Sequence, residues 1–278
     1  MIILVNGLLG FSAGKTSVVR AILQRALEEG EDFLAFKPKS AHNYWEHFDH
    51  SKMCESLGTL VSRDALVLRE LCLEPPAVEL MNPYHQLICP LDLMKAQNVG
   101  EHLLEGGHDL ILAERLTDSR GVSTLFVNRR ADIFVAPSSF MAALRRKAQR
   151  VQTFQTSPVA EGMAPVEECV RSTFAGLAGA RSNLVVESFS DTALPLELSG
   201  EEMDLVVSVG GSLVLLFEPR EVAKAIRVVK SQTMADILRY IRPIATFRVP
   251  HLTSGERAEG DTLVRSYDEV LRAIWERF

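Results

Sequence analysis

Apolar residues along this chain fall into short unbroken runs, and these alternate with stretches of helical period. Ile2, Ile3, Leu4 and Val5 make the first run, and a loop follows over residues 6–14. The next segment, Lys15–Glu29, places Val18, Val19, Ala21, Ile22, Leu23 and Leu27 on one broad helical face before Gly30 stops it. A second strand is read at Phe33–Phe36, which implies a right-handed βαβ crossover. Strands that are apolar throughout, without alternation, belong to parallel sheets covered on both faces. The expected class is therefore α/β, with a doubly wound, mainly parallel sheet.

The regular alternation then breaks. Residues 39–50 are polar and carry aromatics and histidines, helices are read at 51–60 and 63–71, and a hairpin at 109–127 turns on Asp118, Ser119, Arg120 and Gly121. A strand at 132–136, a helix at 140–151 and a loop at 155–165 come next. Alternation resumes with a helix at 166–178, strands at Asn183–Glu187 and 205–209, and the helix Pro219–Val229. One domain spanning 1–278 is expected, with an inserted α+β segment at about 97–160.

The first loop carries chemistry. Gly10, Phe11, Ser12, Ala13, Gly14, Lys15, Thr16 and Ser17 stand where a strand hands over to a helix. Backbone N–H groups and a helix N-terminus there suit phosphate oxygens, an ammonium suits the β- and γ-phosphates, and a hydroxyl suits Mg2+. This is a phosphate-binding loop, and it points to a P-loop NTPase fold. Leu9 occupies the position six before Lys15 where the standard pattern has glycine; Gly7 and Gly10 flank it instead. Neither an Asn-Lys-x-Asp guanine motif nor a Gly-x-Gly-x-x-Gly dinucleotide fingerprint occurs. ATP is accordingly expected ahead of GTP.

Composition narrows the partners. With 278 residues, 47% hydrophobic and 24% charged, the chain reads as a soluble globular protein, and a net charge of −6 disfavours a nucleic-acid or anionic-membrane footprint. Cys54, Cys72, Cys89 and Cys169 form no CxxC pair and read as reduced core thiols, which fits the cytoplasm. No apolar run is long enough to cross a bilayer.

Four separated motifs, in register, resemble the dethiobiotin synthetases and their relatives in the cobyrinic acid synthase and MinD-like branch. The phosphate loop resembles that family's Gly-Thr-Asp-x-x-x-Gly-Lys-Thr. Ala35, Phe36, Lys37 and Pro38 resemble its aromatic-Lys-Pro, and Asp64, Ala65 and Leu66 its Asp-Ala-Leu helix start. Met81, Asn82, Pro83 and Tyr84 with Pro90 resemble its Val-Asn-Pro-Tyr and following Pro. The resemblance covers about the first 95 residues and loosens from Val166 to about Pro250. It implies that Thr16, Asp64 and Glu187 gather around Mg2+, and that Lys15 and Lys37 stabilise the transferred phosphoryl group. Glu114, which also ends an apolar strand, competes with Glu187 for the metal role. The resemblance further implies a small-molecule substrate and a homodimer.

The substrate loop departs from that family. After Pro38 come Lys39, Ser40, Ala41, His42, Asn43, Tyr44 and Trp45 in place of Pro-x-x-Ser-Gly, and Ser188, Phe189, Ser190 and Asp191 replace a glycine-rich turn. His42, His47 and His50 are read as a solvated polar lid rather than a metal site, and Arg145, Arg146, Lys147 and Arg150 as a solvated helix face. Two functions stay open. One is an ATP- and Mg2+-dependent enzyme moving the γ-phosphoryl group to a carboxylate or carbamate, ligase-like or kinase-like. The other is a nucleotide-dependent switch ATPase or GTPase acting with a protein partner.

Overall fold

The computed structural model describes residues 1–10, 12–95, 110–155, 166–195 and 202–278. Its strands are β1 (Ile2–Gly7), β2 (Phe33–Phe36), β3 (Lys39–Asn43), β4 (Tyr84–Ile88), β5 (Ile111–Thr117) and β6 (Ser123–Asn128). They continue with β7 (Arg150–Phe154), β8 (Asn183–Glu187), β9 (Leu205–Gly210), β10 (Leu213–Phe217) and β11 (Ala245–Arg248). The helices used below are α1 (Lys15–Glu29), α2 (Phe48–Leu57) and α3 (Arg63–Arg69). The chain is α/β, and among the described residues its strands form two mixed sheets. No helix among those residues is long and apolar enough to cross a membrane.

The chain divides into two compact units. The first comprises residues 1–38, 64–76 and 176–278, and the second residues 39–63 and 77–175. The second unit is thus wider than the insertion expected at about 97–160 and starts directly after Pro38. Residues 97–109 and 156–160 of that expected insertion, and most of the expected loop at 155–165, lie outside the described residues.

The first unit's sheet has the order β11-β10-β9-β1-β8-β2. β9, β1, β8 and β2 run parallel, while β10 and β11 add an antiparallel edge. Ile3, Leu4 and Val5 of β1, Leu184, Val185 and Val186 of β8, and Leu205, Val206 and Val207 of β9 are all fully buried. Burial on both faces is what their unbroken apolar runs require. Helix α1 packs on these central strands, burying Val18, Val19, Ala21, Ile22, Leu23 and Ala26. It ends at Gly30, whose left-handed backbone (φ 74°) lets its N–H donate to the last carbonyls.

The second unit's sheet has the order β3-β4-β5-β6-β7, parallel at both outer pairs and antiparallel in the middle. Several expectations change here. Residues 39–43, read as a polar stretch, form β3, because Ser40 and His42 point inward and are satisfied by hydrogen bonds rather than by water. The helix expected at 140–151 is Ser138–Lys147, and Arg150 onward turns into β7, where pairing with β6 overrides helical period. The strand expected at 132–136 is a 3-10 turn at Ala131–Ile133 followed by a single bridge at Phe134. At the centre Arg115 is wholly buried. Its guanidinium donates to the carbonyls of Leu60 (2.5 Å), Pro83 (3.2 Å) and Asn82 and to Thr117 Oγ1 (2.5 Å), so a cation is held on neutral acceptors.

Candidate functional site

Parallel strands all end at the same edge of a sheet, and the loops leaving that edge are where ligand-handling groups collect in open α/β folds. In the first unit this edge assembles the residues named from sequence. The β1–α1 loop leaves it, Val5 pairs in register with Glu187 at the end of β8, and Lys37 follows β2 directly. Asp64 sits in the first turn of α3.

The loop is built on backbone features. Gly7 has no room for a side chain, because a Cβ there would stand 2.9 Å from the carbonyl oxygen of Leu9 and 3.0 Å from that of Ser190. Gly14 adopts φ 95°, which glycine takes without strain, and it heads α1 with no side-chain cap and no acidic residue in the first turn. The first turn of the helix therefore carries no cap or carboxylate of its own. Ser12 is also left-handed, at φ 51°; Ala13 and Ser17 are buried. Gly10 accepts a hydrogen bond at its carbonyl from the Ser190 hydroxyl, at 3.0 Å. Phe11 lies outside the described residues.

Charged groups cluster around the start of α1. Thr16 Oγ1 donates to Glu187 Oε1 at 3.0 Å. Lys37 Nζ donates to the same oxygen at 2.6 Å and stands 2.9 Å from Asp64 Oδ2. Lys15 Nζ donates to the carbonyl of Ser190 at 2.5 Å. Glu187 is 1% exposed. Its second oxygen, Oε2, is buried and makes no hydrogen bond among the described residues. Thus two ammonium groups, two carboxylates and a hydroxyl share one small volume.

Proton affinities follow from that crowding. Burial pushes the Lys15 ammonium below its ordinary value, with Glu187 acting against the shift. Burial also lowers Lys37, but the Glu187 and Asp64 carboxylates outweigh it and hold Lys37 above its ordinary value. Burial lifts the Glu187 carboxyl, and Lys37 beside it offsets part of that lift. Lys37 is protonated at neutral pH, so it can meet anionic charge without first gaining a proton.

The structure brings Thr16, Asp64 and Glu187 within reach of the two lysines. Glu114 belongs to the second unit's sheet, where it is fully buried and its Oε1 accepts from the Tyr84 hydroxyl (2.8 Å) and from Gln86 Nε2 (2.9 Å). Sequence reasoning missed Ser190. It joins the site through its backbone oxygen, which any residue type would supply, so only its position three residues after the β8 glutamate could have signalled it. The polar lid is a correction. His47 is exposed, but His42 and His50 are each only 6% exposed. Burial, then the neighbouring His50 and His47, push His42 down to about 3. Arg145, Arg146 and Lys147 are exposed on the last turn of their helix, as its pattern required, whereas Arg150, also exposed, begins β7 and does not share that face. No protein-family profile, curated protein or solved structure matches the chain.

Proposed function

We propose that this chain is a P-loop NTPase that uses Mg2+ and ATP and transfers the γ-phosphoryl group to a small acceptor of the carboxylate or carbamate type. The observation that carries the reading is the buried Glu187 Oε2, which makes no hydrogen bond among the described residues, on a carboxylate already bonded through Oε1 to Thr16 and Lys37. A buried carboxylate oxygen without a hydrogen-bond donor is costly. A hard divalent cation would satisfy it.

The donor set fits Mg2+. Thr16, Asp64 and Glu187 offer a hydroxyl and two carboxylates, the oxygen ligands this ion prefers, and leave positions for phosphate oxygens and water. When bound, Mg2+ neutralises charge on the phosphate oxygens as the transferred group departs. The remaining work falls to the chain. The N–H groups at the start of α1 hold the phosphates. Lys15 exchanges the Ser190 carbonyl for a phosphate oxygen, and Lys37 faces the charge that develops during transfer. A loose phosphoryl-transfer transition state needs positioning and charge neutralisation more than a covalent nucleophile.

The test is ADP release from Mg-ATP and Mg-GTP, measured with and without a panel of small carboxylates, amines and alcohols. The expected result is acceptor-stimulated ADP release with ATP, abolished in Lys15→Ala. Tight nucleotide binding with no stimulation by any acceptor would sink the transferase reading and favour a partner-gated switch.

A further inference from the structure

In the second unit, side chains that phosphoryl transfer does not use converge between β3, β4 and α2. His50 and Cys54 are four residues apart on α2 and so share one helix face. Cys54 Sγ lies 3.7 Å from His50 Nε2, and both side chains are buried. His42 comes to the same place from β3, with ring centroids 4.8 Å from His50. One ring nitrogen from each histidine and the Cys54 sulfur all lie within 4.8 Å of one another.

The surrounding hydrogen bonds decide where the protons are. Asn82 Oδ1 can only accept, and it already takes the N–H of Ser62 at 3.0 Å. The Ser40 hydroxyl 3.0 Å away therefore donates to it, and so accepts from His85 Nδ1 at 2.6 Å. His85 then offers Nε2 as an acceptor, which takes the proton of His42 Nδ1 at 2.6 Å. That leaves a lone pair on His42 Nε2, the nitrogen facing α2, 3.2 Å from Ser51 Oγ. On His50, Nε2–H donates to the carbonyl of Val61 at 2.8 Å, which makes Nδ1 the nitrogen with the lone pair. Each histidine thus has one ring N–H anchored and the other nitrogen deprotonated. Metal-ligating histidines are held in this way, by an oriented partner on the far nitrogen.

We infer that His42, His50 and Cys54 form a structural zinc site, with the Ser51 hydroxyl or one water as fourth ligand, tying α2 to strand β3. Two imidazoles and a thiolate suit a borderline-soft ion of tetrahedral preference. Metal–ligand bonds of about 2.0–2.3 Å set ligand separations of about 3.3–3.7 Å in a tetrahedron. One nitrogen of each histidine and the Cys54 sulfur, within 4.8 Å of one another, close by roughly 1 Å to reach that spacing. Burial of all three residues marks a closed site rather than one open to substrate. Binding releases the Cys54 thiol proton to solvent, so no other reactant is needed.

The test uses the full chain stripped with a chelator, reloaded with Zn2+ and desalted, with zinc measured by mass spectrometry. About one zinc per chain is expected, kept by Cys89→Ser and lost in His42→Gln and Cys54→Ser. Co2+ replaces Zn2+ in a parallel sample, which should show the visible bands of a tetrahedral site and a thiolate-to-cobalt charge-transfer band, kept by Cys89→Ser and lost in Cys54→Ser. A wild-type chain that stays zinc-free, or a Cys54→Ser chain that keeps both metal and charge-transfer band, overturns the inference. Should Cys54→Ser fail to fold, the wild-type cobalt spectrum still decides, because six-coordinate cobalt without a thiolate band refutes the site.

Discussion

Replacing Glu187 by Gln keeps the side-chain volume and removes its charge. In the wild type Glu187 is 1% exposed and the Lys37 side chain 8%, and their charged atoms are 2.6 Å apart. Breaking a buried ion pair by removing one partner costs about 3–5 kcal/mol. Lys37 would retain Asp64 at 2.9 Å, a carboxylate whose side chain is 41% exposed and whose field water screens, so the loss falls near the lower end. A destabilisation of roughly 3 kcal/mol lowers Tm by roughly 6–12 °C in a chain of this size. Urea unfolding followed by circular dichroism at neutral pH, for Glu187→Gln, Lys37→Met and the double variant, gives the interaction directly. The double variant should be less destabilised than the sum of the singles by at least about 2 kcal/mol, because the second change removes a charge that the first left stranded. Single variants whose effects add to within about 0.5 kcal/mol would refute the pairing argument. Saturating Mg-ATP provides the functional half of the experiment. Wild type should gain about 2.7 kcal/mol at a hundredfold excess over Kd, and Glu187→Gln should lose the part of that gain that depends on Mg2+.

Gly7→Ala puts a Cβ 3.1 Å from Lys15 Nζ and closer still to the Leu9 and Ser190 carbonyls, so it should weaken ATP binding at least tenfold while leaving the far-UV spectrum unchanged; unaltered affinity in a fluorescent-nucleotide titration would count against the loop geometry. The Cys89 thiol is pushed up to about 11 by burial, from an ordinary 9.0. A group whose folded value is raised stabilises fully below the unfolded value and loses that contribution as pH climbs through the folded one. Wild type should therefore lose stability between pH 9 and 11 more steeply than Cys89→Ala, by up to about 1.4 kcal/mol per pH unit, and parallel denaturation curves for the two would refute the assignment.

The sequence by itself determined the parts that depend on neighbours along the chain. The unbroken apolar runs of β1, β8 and β9 marked parallel strands because burial on both faces leaves no place for alternating polar residues. Helix α1 and its loop were legible for the same reason. A glycine with φ 95° and a lysine one residue later constrain a local geometry that needs no distant partner. Lys37, Asp64 and Glu187 were named through the resemblance of their motifs, since the apolar pattern alone left Glu114 and Glu187 equal as strand-end carboxylates.

Tertiary structure decided what depended on distant pairing. Residues 39–43 carry no strand signal, since their inward side chains are Ser40 and His42, and only bonds to Asn82 and His85, over forty residues away, make burying them tolerable. His85, bonded to His42, and the Val61 carbonyl, bonded to His50, turn histidines that read as a wet surface into a dry cluster beside Cys54. Strand β7 forms against helical period because β6 supplies a hydrogen-bonding edge. Ser190 enters through a carbonyl that every residue possesses. Side-chain chemistry is written residue by residue, but which polar groups leave water, and what satisfies them there, is fixed only when the sheets close around them.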